Sequence, residues 1–273
     1  MPMKTLPMYQ VDAFTDRLFA GNPAAVVPLA EWLPDETMLA IAAENNLSET
    51  AFFVPAGEAA WELRWFTPAI EVPLCGHATL ATAFVLAEVL GQTAQTLTFS
   101  TRMVGDLTVS RDAEGWFVMR FPRRARNDAA IAVEPVAAAL GRRPDEVVEF
   151  ATPGDTSWLA VYADEADVMG LTPDFGAIAG LPPLNVIATA PGLSVDFVSR
   201  MFAPKAGIDE DPVTGSAHCS LVPYWADKLG KTDFVARQVS ARGGDLRCEL
   251  DGDTVVVCGQ AVLYLTGEIR LPE

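Results

Sequence analysis

An internal repeat constrains this chain more than any other feature. Residues 76–90, GHATLATAFVLAEVL, open on small side chains, turn apolar and run into Gly91. Residues 215–229, GSAHCSLVPYWADKL, do the same and run into Gly230. The offset is 139, and it also carries Gly105-Asp106-Leu107 onto Gly244-Asp245-Leu246. Nine of the 35 positions between 76–110 and 215–249 are thus identical without a gap. Upstream, Arg64-Trp65-Phe66-Thr67-Pro68 resembles Arg200-Met201-Phe202-Ala203-Pro204 at an offset of 136, which a three-residue insertion in the second copy reconciles. Two helix–turn–strand segments can match by chance, but an ordered series of matches on both sides of a gap indicates a duplicated unit. The chain has 273 residues, half of them hydrophobic, enough for two copies that each bury a core.

Within each copy, short apolar or alternating runs bounded by turn residues predict strands. In the first half these are 11–14, 24–27, 50–54, 61–66, 97–100, 107–110 and 116–121; in the second, 159–162, 185–189, 195–200, 237–239, 246–250, 254–258 and 261–265. Helices are predicted at 34–45, with Pro34 at its start, and at 133–140. The repeated segments 76–90 and 215–229 are apolar nearly all round, so each must be buried, surrounded by strands of its own half. The expected fold is therefore α+β: two topologically similar domains, each a curled, mostly antiparallel or mixed sheet around a central helix. The strand pattern stops and charge gathers at Pro122-Arg123-Arg124-Ala125-Arg126, which places the linker there. The domains expected are 1–122 plus 262–273, and 123–261.

Charge narrows the function. Nineteen Lys and Arg stand against 36 Asp and Glu, a formal charge of -17, which argues against nucleic-acid and anionic-membrane partners. None of Cys75, Cys219, Cys248 and Cys258 forms a C-x-x-C pair, so zinc-ribbon and thioredoxin readings lack support. The opening residues, MPMKTLPMYQVDAF, do not read as a signal peptide, and no apolar run approaches a membrane span. A cytoplasmic setting with free thiols is expected.

The helix starts carry the chemical clue. The first N–H groups of a helix lack partners within it, and the dipole adds partial positive charge there. Small residues leave those donors open to a carboxylate or enolate. Both repeated helices begin this way, at Cys75-Gly76-His77-Ala78 and at Thr214-Gly215-Ser216-Ala217. Gly and Ala at such places also serve tight packing, but two such starts, flanked by His77 and Asp211, favour a function. The expectation is that both meet across one cleft between the halves. A helix N-terminus disfavours an imidazolium, so His77 should be neutral and free to hydrogen-bond a substrate. His218, one turn inside the second helix, reads as structural. Glu49 precedes the apolar strand Ala51–Val54, a setting that raises a carboxyl pKa and suits a group that takes up and returns a proton near neutrality. Asp211, in Asp209-Glu210-Asp211-Pro212, reads either as a helix-entry residue or as a partner of substrate or of His77.

Four stretches then resemble one family. Val11-Asp12-Ala13-Phe14-Thr15 with Gly21-Asn22-Pro23-Ala24, Leu47-Ser48-Glu49-Thr50-Ala51-Phe52, Pro73-Leu74-Cys75-Gly76-His77-Ala78-Thr79 and Asp211-Pro212-Val213-Thr214-Gly215-Ser216-Ala217-His218 are similar to the phenazine-biosynthesis isomerase (PhzF-like) family, in its order and spacing. The resemblance spans nearly the whole chain. It implies a diaminopimelate epimerase-like fold and a proton transfer within a small carboxylated substrate, a hydroxylated dihydro-aromatic amino acid. It implies no metal or organic cofactor, and a homodimer. By resemblance Glu49 is the acid/base and His77 and Asp211 are assisting polar groups. Gly76, Gly215, Ser216, Asn22 and Ser48 hold the substrate.

Two rivals remain open. A two-thiol racemase or epimerase needs a cysteine before the glycine at both helix starts. Cys75 fills the first place, but Thr214 stands at the second, and its hydroxyl is far too weak an acid to match a thiol. A mixed Cys75/Glu49 mechanism stays open. The other rival is a protein that binds a small carboxylate without chemistry.

Overall fold

The pattern of strand pairing repeats once along the chain. The computed structural model describes residues 3–128, 130–152 and 155–272. These form two units, Met1–Arg120 with Cys258–Glu273, and Phe121–Val257. The elements before the first boundary are β1 (Met3–Ala13), β2 (Asn22–Pro28), α1 (Asp35–Asn45), β3 (Glu49–Gly57), β4 (Ala60–Phe66), β5 (Glu71–Val72), α2 (Gly76–Phe84) with a π-helical continuation over Val85–Val89, β6 (Thr96–Thr101) and β7 (Asp106–Arg111). β8 (Phe117–Pro122) runs through the boundary. There follow β9 (Ala125–Asn127), α3 (Val133–Leu140), β10 (Glu146–Thr152), β11 (Asp155–Val161), α4 (Glu165–Met169), α5 (Phe175–Ala179), β12 (Asn185–Pro191), β13 (Phe197–Ala203) and β14 (Ile208–Asp211). A 3-10 turn over Gly215–Ala217 leads into α6 (His218–Leu229), then β15 (Asp233–Gln238) and β16 (Gly244–Asp251). β17 (Thr254–Gly259) runs through the second boundary, and β18 (Ala261–Pro272) returns to the first unit.

In the first unit β1 pairs antiparallel with β2, β2 parallel with β3, β3 antiparallel with β4, β4 parallel with β6, and β6 antiparallel with β7. In the second, β10, β11, β12, β13, β15 and β16 repeat that series sense for sense. The short strands β5 and β14 lie antiparallel on β4 and β13. Even the register agrees: Ala24 of β2 faces Glu49, the first residue of β3, and Ser157 of β11 faces Asn185, the first residue of β12. The fold is α+β with a mixed sheet. The charged segment expected to hold the linker lies next to the boundary between the units and contributes β9, which pairs with β10.

In each unit helices cover both faces of the strands, and strand parity decides which side chains see which helix. On β3, Phe52 and Val54 join Met38 and Ile41 of α1 in one buried cluster, and Thr50 accepts a hydrogen bond from Asn45 Nδ2 at 3.1 Å. The opposite parity, with Glu49, Ala51 and Phe53, faces α2. That helix packs against β1, β2, β3 and β18. It is buried from His77 to Ala83, and its small residues let the strands close around it. Its two buried threonines satisfy their hydroxyls on the helix itself, Thr79 donating to the Cys75 carbonyl at 2.6 Å and Thr82 to that of Ala78 at 2.8 Å. At Gly259 any side chain would run into the Phe14 ring and a Leu80 methyl, so only glycine lets the strand approach α2. In the second unit α6 packs against β11 and β16, while Val186, Ala188 and Ala190 of β12 turn to the cluster under α3, α4 and α5.

One feature is duplicated that motif reading did not single out. Arg64 of β4 grips Glu71 of β5 by two parallel hydrogen bonds, 2.7 and 2.8 Å, and lies over the Phe66 ring at 5.0 Å. Arg200 of β13 grips Glu210 of β14 by two at 2.8 Å and lies over the Phe202 ring at 5.1 Å. Each fork fixes the chain shortly before a repeated helix start.

Candidate active site

α1 ends on Asn46, whose left-handed conformation (φ 50°) lets its N–H close on the Ala42 carbonyl at 3.1 Å. The chain then turns through half-buried Ser48 and enters β3 at Glu49. Pairing with β2 and packing beneath α2 leave Glu49 only 8% exposed. Glu49 is thus the first residue of a buried strand, where the sequence placed it just before one. Parity aims it at the α2 face, and there it meets His77: Glu49 Oε2 lies 3.2 Å from His77 Nε2.

His77 is the second residue of α2. Cys75, extended at φ -143° and ψ 108°, precedes the helix and makes no side-chain cap, so the N–H groups of the first turn are not covered by a capping side chain. Gly76 is half-buried. Asn22, wholly buried at the start of β2, puts Nδ2 3.2 Å from His77 Nδ1. Cys75 Sγ lies 3.4 Å from the same nitrogen. Burial pushes His77 down to about 3, so the ring is neutral at ordinary pH. The 3.2 Å contact alone would also suit an imidazolium–carboxylate pair, but the burial of the ring outweighs it. With the Asn22 amide as assigned, Nδ2 donates to Nδ1, which leaves the ring proton on Nε2, the nitrogen 3.2 Å from the Glu49 carboxyl. The sequence expectation of a neutral imidazole rested on the helix dipole; in the structure desolvation by burial drives the shift. Glu49, Cys75 and His77 also offer three metal-ligand-type atoms within 4.8 Å of one another.

In the second unit Asp211 ends β14 and is buried. Its carboxylate accepts a short hydrogen bond from the Thr214 hydroxyl. It is therefore not the cap of the helix: it holds the loop that leads to it. Gln238, wholly buried at the end of β15, clamps the same loop, donating from Nε2 to the Asp211 carbonyl at 2.6 Å and accepting from Thr214 N–H at 2.9 Å. Gly215 is buried and Ser216 half-buried. His218 lies inside the fold with Nδ1 2.9 Å from the Thr214 carbonyl, and burial pushes it down to about 4. It is a structural donor. Thr214, at the place matching Cys75, serves Asp211.

The first-half residues Glu49, His77, Asn22 and Gly76 thus converge within one unit, with Ser48 adjoining, and Asp211, Gly215 and Ser216 share one loop in the other. Sequence reading missed Gln238, which lies 24 residues beyond Thr214 with no motif around it, and the contact of Cys75 with the His77 ring. Among the described residues no helix is long and apolar enough to cross a membrane.

Fold comparison sets the class. A hydroxyproline epimerase of Agrobacterium vitis matches at a TM-score of 0.59, covering 99% of this chain and 93% of that one; at 13% identity the likeness is one of fold alone. The family follows from the sequence: residues 11–267 match the phenazine biosynthesis-like protein (PhzC-PhzF) family, and the chain belongs to it. An uncharacterized isomerase of Pseudomonas aeruginosa is 52% identical over 267 residues, 97% of this chain and 99% of that protein. The crystal structure of a PhzF-family protein from Enterococcus faecalis has a TM-score of 0.91 at 46% identity, covering 98% of this chain and 100% of that chain.

Proposed function

We propose that this chain is a cofactor-independent isomerase that moves a proton within a small carboxylated, dihydro-aromatic amino-acid-like substrate, with Glu49 as the proton carrier. The observation that carries this reading is the pairing of a buried Glu49 with a neutral His77, at 3.2 Å, beside a helix start open to an anion. In this reading the Glu49 carboxylate takes a proton from a substrate carbon and returns it to another. The His77 Nε2–H holds the carboxylate in place and stays neutral throughout. The first-turn N–H groups at Gly76, with Asn22 and Ser48, hold polar groups of the substrate and the charge that develops on it. Asp211, with Gly215 and Ser216, is the polar contribution of the second half.

The duplication supports a single carrier. The position in the second copy that matches Glu49 is Asn185, which cannot exchange a proton at neutral pH. One carboxyl that both removes and returns a proton suits an isomerisation; inversion of a stereocentre asks for two carriers on opposite sides. The contact of Cys75 with His77 at 3.4 Å keeps a Cys75/Glu49 epimerase as the second reading.

The test is incubation of the pure protein with candidate small amino acids and dihydro-aromatic amino acids in D2O, followed by NMR. The isomerase reading expects deuterium at a new carbon position, lost in Glu49→Gln. Exchange confined to the stereocentre, sensitive to Cys75→Ser, would transfer the assignment to the epimerase. Tight binding with no exchange would leave only a binding protein.

A further inference from the structure

We infer that Glu49, Cys75 and His77 form a binding site for a thiophilic divalent cation of the zinc type, whose occupancy shuts off the proton carrier. The three residues offer a thiolate, an imidazole and a carboxylate, the ligand set that selects such ions over magnesium or calcium. The geometry is close to what the ion requires. A tetrahedral zinc with bonds of about 2.0–2.3 Å separates its nitrogen ligand from an oxygen by about 3.3 Å and from a sulfur by about 3.6 Å. His77 Nε2 lies 3.2 Å from Glu49 Oε2 and 4.0 Å from Cys75 Sγ, and all the candidate ligand atoms fall within 4.8 Å. Drawing Glu49 and Cys75 together by about an ångström, with smaller shifts at His77, completes three corners of the tetrahedron and leaves the fourth for water.

Two further observations favour occupancy with Nε2 as the ligating nitrogen. The other ring nitrogen has a buried companion in Asn22, which accepts the Nδ1–H when its amide turns over and so orients the ligated ring. The charges also close. The dication meets one thiolate and one carboxylate, so the buried cluster is neutral even beside the positive end of α2. As the S–Zn bond forms, the Cys75 thiol proton leaves to solvent, and the Nε2 proton passes to Nδ1 by tautomerisation. The ion acts here as an inhibitor and not as a resident cofactor. It engages the carboxylate oxygen that the proposed reaction needs, and this consequence alone rests on the acid/base reading of Glu49.

Cobalt(II) is the probe, because a thiolate bound to it adds a near-ultraviolet charge-transfer band and tetrahedral geometry intensifies its visible bands. Chelator-treated full-length protein titrated with Co2+ should develop both, saturating at one ion per chain, and Zn2+ should bleach them. Cys75→Ser should remove the charge-transfer band. Glu49→Gln and His77→Gln should each weaken binding at least tenfold. Cys258→Ser, a half-exposed thiol elsewhere, should change nothing. Protection of Cys75 from alkylation by Zn2+, mapped by mass spectrometry in the wild-type chain, needs no variant and guards against misfolding of the others. No cobalt spectrum in the wild type, a band that survives Cys75→Ser, or no protection of Cys75 overturns the site. An intact cobalt spectrum with deuterium exchange undiminished by Zn2+ overturns the shut-off and counts against Glu49 as carrier, leaving the metal site standing.

Discussion

Lowering the pH from 7 to 5 should destabilise this protein through His77, by an amount that can be worked out in advance. In the unfolded chain the ring titrates at about 6.5. In the folded protein burial pushes it down to about 3. Between those values the unfolded state binds a proton that the folded state does not, so stability rises with pH and is lost as pH falls below about 6.5. At pH 7 roughly a quarter of the unfolded rings are protonated, and at pH 5 nearly all are; the difference is about 2 kcal/mol for this one residue. Other groups titrate over the same range, His218 with the same sign. The measurement is therefore a double difference. Urea unfolding of wild type and of His77→Gln is followed at pH 7 and pH 5, and the variant should lose about 2 kcal/mol less than the wild type. Equal losses would mean that His77 is not buried as a neutral ring. The opposite sign would mean that the 3.2 Å contact with Glu49 is an imidazolium–carboxylate pair, whose raised pKa adds stability below pH 6.5 and loses it as the pH rises.

The remaining predictions concern side chains whose partners are known. Glu49→Gln should cut substrate deuterium exchange by about 10²–10⁴-fold, the usual share of a positioned acid/base, while circular dichroism and the unfolding midpoint stay near wild type; retained exchange would remove Glu49 from its role. Asp211→Ala frees the Thr214 hydroxyl and should cost about 1–2 kcal/mol in urea unfolding with a milder loss of exchange, about tenfold; unchanged exchange would leave Asp211 a purely structural tie. Arg64→Met breaks the fork and leaves Glu71, which Arg64 holds below the usual carboxylate range, to exposed Arg102 at 3.1 Å; a loss of about 1.5–3 kcal/mol is expected, and a loss under about 1 kcal/mol would show that the fork is solvated.

Much of the architecture was legible because the duplication preserves what the core needs. The helix starts and the Gly-Asp-Leu segments recur in both copies, and at Gly105 the backbone (φ 78°) is one that glycine adopts without strain. Pairings between strands are less visible. Arg64 and Arg200 stood in the matched segments, but Glu71 and Glu210 fall after the three-residue insertion, so the second half of each fork was hidden by the change of offset. The match of Glu49 with Asn185 lies at the upstream offset of 136, and the parallel registers agree with it. The helices α4 and α5 escaped because five residues are too few for a helical period. Their signal was the cap, with Asp164 and Asp174 each accepting from the N–H three residues on, at 2.9 Å. At the candidate site, alternation from Phe52 would have put Glu49 on the inner face. Nothing in the spacing revealed that Asn22, 55 residues away from His77, would fix its tautomer.

The last strand has a consequence for biogenesis. β18 lies along the whole of β1, from Met3 opposite Pro272 to Ala13 opposite Ala261. The unit that holds β1 is therefore closed by a strand that follows the other unit in sequence, whereas Phe121–Val257 is one uninterrupted stretch. On a ribosome the half synthesised second has all its strands first. The half synthesised first waits with an unpaired strand edge until β18 emerges, and during that wait the nascent chain is most exposed to mispairing with its neighbours.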